Sequence, residues 1–249
     1  MKTLVVIPAR LAAVRLHRKP LRLVAGVPLV VRVWERVSSM NVADACVVAS
    51  DDDEVARAVS AAGAEFVMTS GSHRSGTERV AEVARQPQFA EYTTIVNVQG
   101  DEPFIGKAAV EGAAGMVSSG SFPLGTAASH APWGIVDNPN IVKVVCDSDS
   151  RAMYFSRAAI PFRSDGAAAD SLPLQHIGVY AYTRDALEKW VSLPPHELEL
   201  TEKLEQLRPL AAGIPMGVAI ADESVAVGVD TEDDLSRANA RWDDFTAGR

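Results

Sequence analysis

The sequence predicts an α/β fold in which a mainly parallel central sheet is flanked by helices. Three observations support this prediction: short apolar runs rich in β-branched residues, amphipathic segments between them, and turn or polar residues at their ends. The runs are apolar on both faces, as buried parallel strands are. We therefore expect ligands to bind at the carboxyl ends of the strands.

The first half of the chain predicts strands that alternate with helices. Leu29, Val33 and Val37 recur on one face of the first helical segment. In the next segment, acidic residues at 51–54 mark the helix start and Gly63 follows its end. The strands are expected at residues 3–8, 45–50, 64–69 and 93–98.

The second half has a less regular pattern, which predicts a smaller antiparallel insertion. A charged helix is expected over residues 197–213, after which an apolar run at 215–221 returns to the main sheet. Small polar residues at 163–173 indicate a mobile surface loop. We expect one α/β domain over residues 1–249. The strands of the insertion are expected at 123–129, 140–146, 151–156 and 176–182.

Charge and hydropathy argue against several classes of function. A formal net charge of −8 disfavours general binding to nucleic acid or to an anionic membrane, because those partners select a broad basic surface. No apolar run approaches the roughly 20 residues that span a bilayer. Arg10 and Arg15 interrupt the N-terminal apolar segment, which argues against a signal peptide. Cys46 and Cys146 lack metal-type spacing, so reduced thiols and a cytoplasmic location are expected.

A basic loop follows the first predicted strand. Pro8 ends the strand, and Arg10, Arg15 and Lys19 come next without an intervening acid. Guanidinium groups match phosphate oxygens with forked donors, and lysine adds a mobile positive charge. The loop therefore indicates phosphate binding; the alternative is a solvated basic loop. Neither a P-loop nor a GxGxxG dinucleotide motif is present.

Two acids follow predicted strands. Asp101, in NVQGDEP, comes directly after the fourth strand, and Asp230, in VGVDTEDDL, follows a later apolar run. Carboxylates at such positions can hold Mg²⁺, which usually bridges to substrate phosphates. For Asp230 the alternative is a helix N-cap. Two separated acids together with a basic loop favour the metal interpretation.

The stretch HRSGTERVAEV places a Ser-Gly turn before a helix that is expected to open at Thr77. Exposed amides at a helix start suit a phosphate or another polar edge of a ligand. The alternative is a capped helix in which Glu78 offsets the helix dipole.

Polar residues also concentrate in the second half, where they are mixed in type. Such a mixture suits a polyhydroxylated acid, which needs donors for its carboxylate and acceptors for its hydroxyls. The alternative is a structural histidine beside solvated helix residues. The residues are Arg157, His176, Tyr180, Glu205 and Gln206.

The motifs taken in order resemble one enzyme family. IPAR, HRSGTER, VQGDEP, NPNIVKVV, YFSRAAIP, HIGVYAY, LEQLR and GVDTEDDL are spread over about residues 5–238. Their succession is similar to that of the 3-deoxy-manno-octulosonate cytidylyltransferases. The resemblance implies a nucleotide-diphospho-sugar transferase (GT-A-like) fold and transfer of CMP from CTP to 3-deoxy-manno-octulosonate (Kdo) for lipopolysaccharide synthesis. It also implies Mg²⁺, a homodimer, and a sugar-binding and dimerisation lobe at about residues 124–210.

The resemblance assigns roles position by position. Arg10 and Lys19 would bind the triphosphate and act in catalysis, and Asp101 and Asp230 would hold the metal. Contacts to CTP would come from Arg15, Ser75, Gly76, Arg79 and Gln99. Contacts to the sugar acid would come from Arg157, His176, Tyr180, Glu205 and Gln206.

The first loop departs from the family pattern, and rival functions stay open. Ala13, Val14, His17 and Arg18 stand where the family usually has a hydroxyl residue and a Pro-Gly pair, and Arg18 is placed to add compensating charge. One rival is a cytidylyltransferase for amino-substituted Kdo or a sialic acid. Another is a nucleotide-sugar binding protein without catalysis. A Rossmann dehydrogenase is disfavoured by the missing glycine motif.

Overall fold

The computed structural model describes residues 1–11, 15–164, 173–221 and 228–247. Ala13, Val14 and most of the predicted loop at 163–173 lie outside these ranges. The chain divides into two compact units. The first unit comprises Lys2–Tyr92, Asn97–Lys107 and the described part of Ala226–Arg249. The second unit comprises Met1, Thr93–Val96 and the described part of Ala108–Val225.

The described residues form both strands and α-helices. The strands are β1 Lys2–Pro8, β2 Leu23–Val24, β3 Val27–Pro28, β4 Ala45–Ser50, β5 Glu65–Met68, β6 Tyr92–Val98, β7 Leu124–His130, β8 Lys143–Cys146, β9 Ala152–Ser156, β10 Leu174–Thr183 and β11 Met216–Ile220. The α-helices are α1 Leu29–Ser38, α2 Asp53–Ala61, α3 Gly76–Arg85, α4 Lys107–Ser118, α5 Arg184–Ser192, α6 Glu197–Glu202, α7 Leu207–Ala211 and α8 Glu232–Ala247.

The predicted α/β class is confirmed: the central sheet is mostly parallel and is flanked by helices. In the first unit the strand order is β1-β4-β5, and β1 pairs in parallel with β4, as β4 does with β5. The register places Val5 opposite Cys46 and Val48 opposite Phe66. The four strands predicted in the first half are thereby confirmed to within one residue at each end.

A buried apolar cluster lies beneath the loops of the first unit. Leu16, Phe104 and Val229 belong to it, and each is at most 8% exposed. Each lies within three residues of a charged residue singled out in the sequence: Lys19, Asp101 or Asp230. Burial of each such side chain contributes about 1.5–3 kcal/mol, so apolar packing brings three distant loop segments to one place.

The second unit contains the predicted antiparallel insertion. β10 pairs in antiparallel fashion with β7 and with β8, and β8 pairs likewise with β9. β11 returns in parallel beside β7. The pairing of β10 with β7 shifts register between Ile177 and Tyr180, which marks a β-bulge.

The prediction of one charged helix over residues 197–213 is wrong, because the segment forms α6 and α7. Lys203, with φ 56°, is the C-cap that ends α6 in the left-handed conformation. Pro209 explains the break, since inside an unbroken helix its ring would clash with the carbonyl of Glu205. In the observed structure Pro209 lies in the first turn of α7, where a missing N–H is tolerated.

No helix within the described ranges is both long enough and apolar enough to cross a bilayer.

Candidate active site

One ammonium group joins two distant carboxylates in the first unit. Lys19 Nζ lies 2.5 Å from Asp101 Oδ2 and 2.9 Å from Asp230 Oδ1. Arg15 Nη2 donates to the other oxygen of Asp230 at 2.9 Å. Burial alone would lower the pKa of Lys19, but Asp101 and Asp230 outweigh it and raise the pKa above its usual value. Lys19 is therefore charged, and it screens the two acids from each other.

Local backbone structure brings these groups together. Lys19 opens a short 3₁₀ turn that ends at Leu21. A Cβ atom at position 100 would lie 2.7 Å from the carbonyl oxygen of Pro8. Gly100 is thus required where the loop after β6 passes the end of β1, and this close approach carries Asp101 towards the basic loop.

The helix-cap alternative for Asp230 does not apply, because its neighbours make the cap of α8. Thr231 Oγ1 accepts a hydrogen bond from the backbone N–H of Asp234 at 3.2 Å. The Asp234 carboxylate accepts in return from the N–H of Thr231 at 2.9 Å. The carboxylate of Asp230 is consequently directed to Lys19 and Arg15 instead.

Glu102 is a third carboxyl group at this place and was missed by sequence reasoning. Removal from water, together with the charges of Asp101 and Asp230, raises its pKa well above the usual value. A Cβ atom on Gly228 would lie 2.9 Å from Oε1 of Glu102, so the glycine leaves room for this carboxyl group. Among the described residues, no group of three or more His, Cys, Asp or Glu side chains has a metal-binding arrangement.

A pocket of about 300 Å³ opens beside Lys19 and Asp101. Seven of the residues predicted for the nucleotide and the metal line it: Arg10, Lys19, Ser75, Gly76, Arg79, Gln99 and Asp101. Arg15 and Asp230 adjoin it through their ion pairs with each other and with Lys19. Sequence reasoning assigned no ligand contact to the other lining residues, which are Pro8, Ala9, Pro20, His73, Arg74 and Gly100. For His73 and Arg74 a signal was present, since they directly precede the Ser-Gly turn.

The start of α3 forms one wall of this pocket. Ser75 is the N-cap, and its side chain accepts from the N–H of Glu78 at 3.3 Å. A Cβ atom on Gly76 would lie 3.2 Å from Cγ of Pro8, so a small residue keeps the helix start close to the end of β1. The capped-helix alternative is therefore true here, and the cap also lines the pocket.

Arg79 is held in place from behind the pocket wall. Its side chain is 3% exposed, and Nη2 donates to Asp51 at 2.9 Å. Nη1 donates to the hydroxyl of Thr69. Asp51 and Thr69 directly follow β4 and β5, so the ends of two neighbouring strands orient one guanidinium group. Arg18, which the sequence placed near the phosphates, instead pairs with Glu54 of α2.

The residues predicted for the sugar acid lie in the second unit. His176 is 9% exposed, and burial lowers its pKa to about 3, so the imidazole is neutral at neutral pH. Its ring centroid lies 5.5 Å from that of Tyr180. Burial, followed by the charges of Tyr182 and Glu205, raises the pKa of Tyr180 well above its usual value. Gln206 is 3% exposed.

Backbone carbonyls orient Arg157. Its Nε donates to the carbonyl of Glu202 at 2.8 Å, and its Nη1 donates to that of Pro139 at 2.9 Å. Lys143, which is 1% exposed, donates to the carbonyls of Ile141 and Arg157. Sequence reasoning assigned no role to Lys143, although it lies in the NPNIVKVV motif.

Comparisons with known proteins identify the family of this chain. A cytidylyltransferase family model matches residues 4–219. The chain is 56% identical over 246 residues to the 3-deoxy-manno-octulosonate cytidylyltransferase of Gemmatimonas aurantiaca, covering 98% of this chain and 95% of that relative. The chain belongs to the 3-deoxy-manno-octulosonate cytidylyltransferase family.

A further relative and two solved structures agree with this family and this fold. The 3-deoxy-manno-octulosonate cytidylyltransferase of Stenotrophomonas maltophilia is 44% identical, over 94% of each chain. A solved CMP:2-keto-3-deoxy-manno-octonic acid synthetase, in complex with CTP, matches with a TM-score of 0.90 and 36% identity over 98% of this chain and 99% of that one. The inositol-1-phosphate CTP transferase of T. maritima, with 16% identity and a TM-score of 0.67 over 100% of this chain and 97% of that one, shares the fold.

The structure describes part of the first loop, in which the sequence was expected to depart from the family pattern. Ala13 and Val14 lie outside the described residues. At the other end of the loop, Arg18 adopts a φ of 56° and directs its side chain to Glu54. The charge of Arg18 therefore pairs the loop with Glu54 of α2.

Proposed function

We propose that this chain transfers CMP from CTP to Kdo, releasing pyrophosphate, in the synthesis of lipopolysaccharide. One observation carries the proposal: the Lys19 ammonium lies between Asp101 and Asp230 at a pocket that Arg10 and the start of α3 also line. Positive charge beside paired carboxylates suits a metal-bound triphosphate. The names of the relatives supply the identity of the two substrates.

The reaction needs alignment and charge neutralisation. The anomeric hydroxyl of Kdo attacks the α-phosphorus of CTP; a new P–O bond forms as the bond to pyrophosphate breaks, and the hydroxyl proton passes to solvent water. No covalent enzyme intermediate is needed. The side chains of Arg10 and Lys19 would bind the departing phosphates, a role in which one lost group costs about 3 kcal/mol of transition-state stabilisation.

The residues present fit Mg²⁺. Asp101 and Asp230 already converge on one cation, the ammonium of Lys19, and oxygen donors of this type are those that Mg²⁺ prefers. We propose that these two carboxylates hold the ion together with phosphate oxygens. When bound, it would polarise a phosphoryl oxygen as a Lewis acid.

The sugar acid is proposed to contact Arg157, His176, Tyr180, Glu205 and Gln206 of the second unit. Arg157 supplies a fixed cation for a carboxylate, and neutral His176 supplies a hydrogen-bonding group for a hydroxyl. A homodimer and a cytoplasmic location belong to the same proposal. Light scattering on the purified protein would test the dimer, which a monomer mass at working concentration would contradict.

The test is pyrophosphate release with Mg²⁺ and CTP, in the presence and absence of Kdo. We expect Kdo-dependent release with CTP and little with ATP, GTP or UTP. Asp101→Asn should reduce the rate at least about 100-fold, since it removes a charged group from the reacting centre. Glu35→Gln, which changes an acid on α1 that bonds Arg32, is the matched control and should retain the rate.

Two outcomes would contradict this proposal. Faster release of pyrophosphate with an amino-substituted Kdo or a sialic acid would show that the acceptor is that sugar, while the reaction type would stay the same. Binding of CTP without release for any acid sugar would favour the nucleotide-sugar binding protein.

A further inference from the structure

Hydrogen bonds join Thr126, His176 and Val179 at the β-bulge of the second unit. On one side of the bulge Ile177 of β10 faces Ala127 of β7, and on the other Tyr180 faces Thr126. Gly178 and Val179 therefore have no partner residue on β7. The hydroxyl of Thr126, which is fully buried, donates to the carbonyl of Val179 at 2.7 Å. The hydroxyl thus replaces the strand hydrogen bond that the bulge removes.

The same hydroxyl contacts the imidazole of His176. Nε2 of His176 lies 2.9 Å from Oγ1 of Thr126. A hydroxyl has one proton and two lone pairs, whereas a carbonyl oxygen only accepts. The O–H of Thr126 is directed at Val179, because 2.7 Å is the usual distance for such a bond and the carbonyl of Ile177 is 3.5 Å away. Nε2 must then carry a hydrogen and donate it to Oγ1.

The remaining ring nitrogen is an acceptor. Burial lowers the pKa of His176 to about 3, so only one nitrogen of the ring carries a hydrogen at neutral pH. With that hydrogen on Nε2, Nδ1 presents a lone pair. Within the described part of the chain, Nδ1 has no hydrogen-bond partner. The rings of Phe155 and Tyr180 flank the imidazole, at centroid distances of 5.1 and 5.5 Å, and hold its plane.

We propose that Thr126 is a positioning residue that holds His176 in the Nε2–H tautomer, so that Nδ1 accepts a hydrogen bond from a hydroxyl of the acceptor sugar. The identity of the ligand rests on the proposed function, whereas the tautomer does not. A lone pair at Nδ1 favours a hydroxyl, which can donate, over a carboxylate oxygen, which can only accept. Thr126 would thereby contribute to selection of the sugar without touching it.

The first test is the tautomer itself. Two-bond ¹H–¹⁵N correlation spectra of the full chain labelled at histidine nitrogen, with His176→Gln to assign the signal, report which nitrogen is protonated. We expect a protonated Nε2 and an unprotonated Nδ1 in the wild type and in Thr126→Ser. A protonated Nδ1 in the wild type would overturn the proposal.

The second test separates positioning from general structure. Thr126→Val keeps the shape but removes the hydroxyl, so the ring is free to change tautomer. Its KM for Kdo should rise about tenfold, the equivalent of one lost hydrogen bond, while its KM for CTP stays within about twofold. Thr126→Ser should restore the wild-type KM. An unchanged tautomer and an unchanged KM for Kdo in Thr126→Val would contradict the role.

Failure of the proposed function would look different. Absence of Kdo-dependent turnover in the wild type would overturn the assignment of the sugar ligand, and the spectra would still decide the tautomer. If Thr126→Val does not fold, the wild-type and Thr126→Ser spectra still decide whether the hydroxyl is compatible with the Nε2–H tautomer.

Discussion

At the scale of single residues, charge is balanced around Lys19. Asp101 and Asp230 bring two negative charges, and Lys19 and Arg15 bring two positive ones. Removing one member of a partly buried set leaves the others uncompensated, which costs more than the pair itself contributes. Lys19 therefore keeps the two acids together. In the proposed function it would also offer a cation to the phosphates.

Replacement of Lys19 should lower turnover. Lys19→Met removes the cation, so we expect a loss of about 100-fold in kcat/KM, corresponding to roughly 3 kcal/mol of transition-state stabilisation. Steady-state pyrophosphate release measures this loss. Lys189→Met, at an exposed position on α5, is the control. A Lys19→Met enzyme with a normal rate would remove Lys19 from the reacting site.

At the scale of elements, two helices begin with the same device in different surroundings. Asp52 caps α2 by accepting from the N–H of Glu54 at 2.8 Å and of Val55 at 3.1 Å. Ser75 caps α3 by accepting from Glu78, but it also lines the pocket. Comparing the two caps therefore separates the contribution of a cap to stability from its contribution to ligand binding.

Removal of either cap should destabilise the protein, but removal of only one of them should weaken the binding of CTP. Asp52→Ala and Ser75→Ala should each lower the free energy of unfolding by about 1 kcal/mol, the usual cost of a lost N-cap. Only Ser75→Ala should raise the KM for CTP. Urea unfolding and initial rates test the two effects separately, and an equal rise in KM for Asp52→Ala would show that the effect is not local to the pocket.

Helix boundaries also show what a local pattern misses. The sequence predicts one charged helix over residues 197–213, yet Lys203 ends α6 and Leu207 begins α7. Glu199 accepts from Arg208 across the break, at 2.8 Å from Nε. This contact stabilises the turn and is not visible in the sequence pattern, whereas Pro209 is a local signal for a helix break that the prediction overlooked.

At the scale of the whole molecule, the buried neutral His176 makes stability depend on pH. Above the unfolded value of 6.5 the ring is neutral in both states, and the contribution of the group is fully present. As the pH falls, the unfolded chain binds a proton that the native ring takes up only near pH 3. The native state therefore loses stability between these two values.

This loss can be isolated by substitution. From pH 6.5 down to pH 4, His176 should contribute a decline in unfolding free energy of up to about 1.4 kcal/mol per pH unit. Urea unfolding of wild type and of His176→Gln at each pH gives the difference, and the variant should show the shallower decline. Equal slopes in the two proteins would mean that the native ring of His176 takes up its proton at the same pH as the ring in the unfolded chain.

The sequence by itself determined the class of the fold, the strands and helices of the first half, and the types of residue at the site. Those features depend on periodicity and turn chemistry within a few residues, which a linear pattern contains. Only the tertiary structure decided that Lys19 meets Asp101 and Asp230, which lie 82 and 211 positions away. It also decided that Thr126 Oγ1 lies 2.9 Å from Nε2 of His176. Both are contacts across the fold, set by apolar packing and by a bulge in strand pairing, and neither leaves a signal in local sequence.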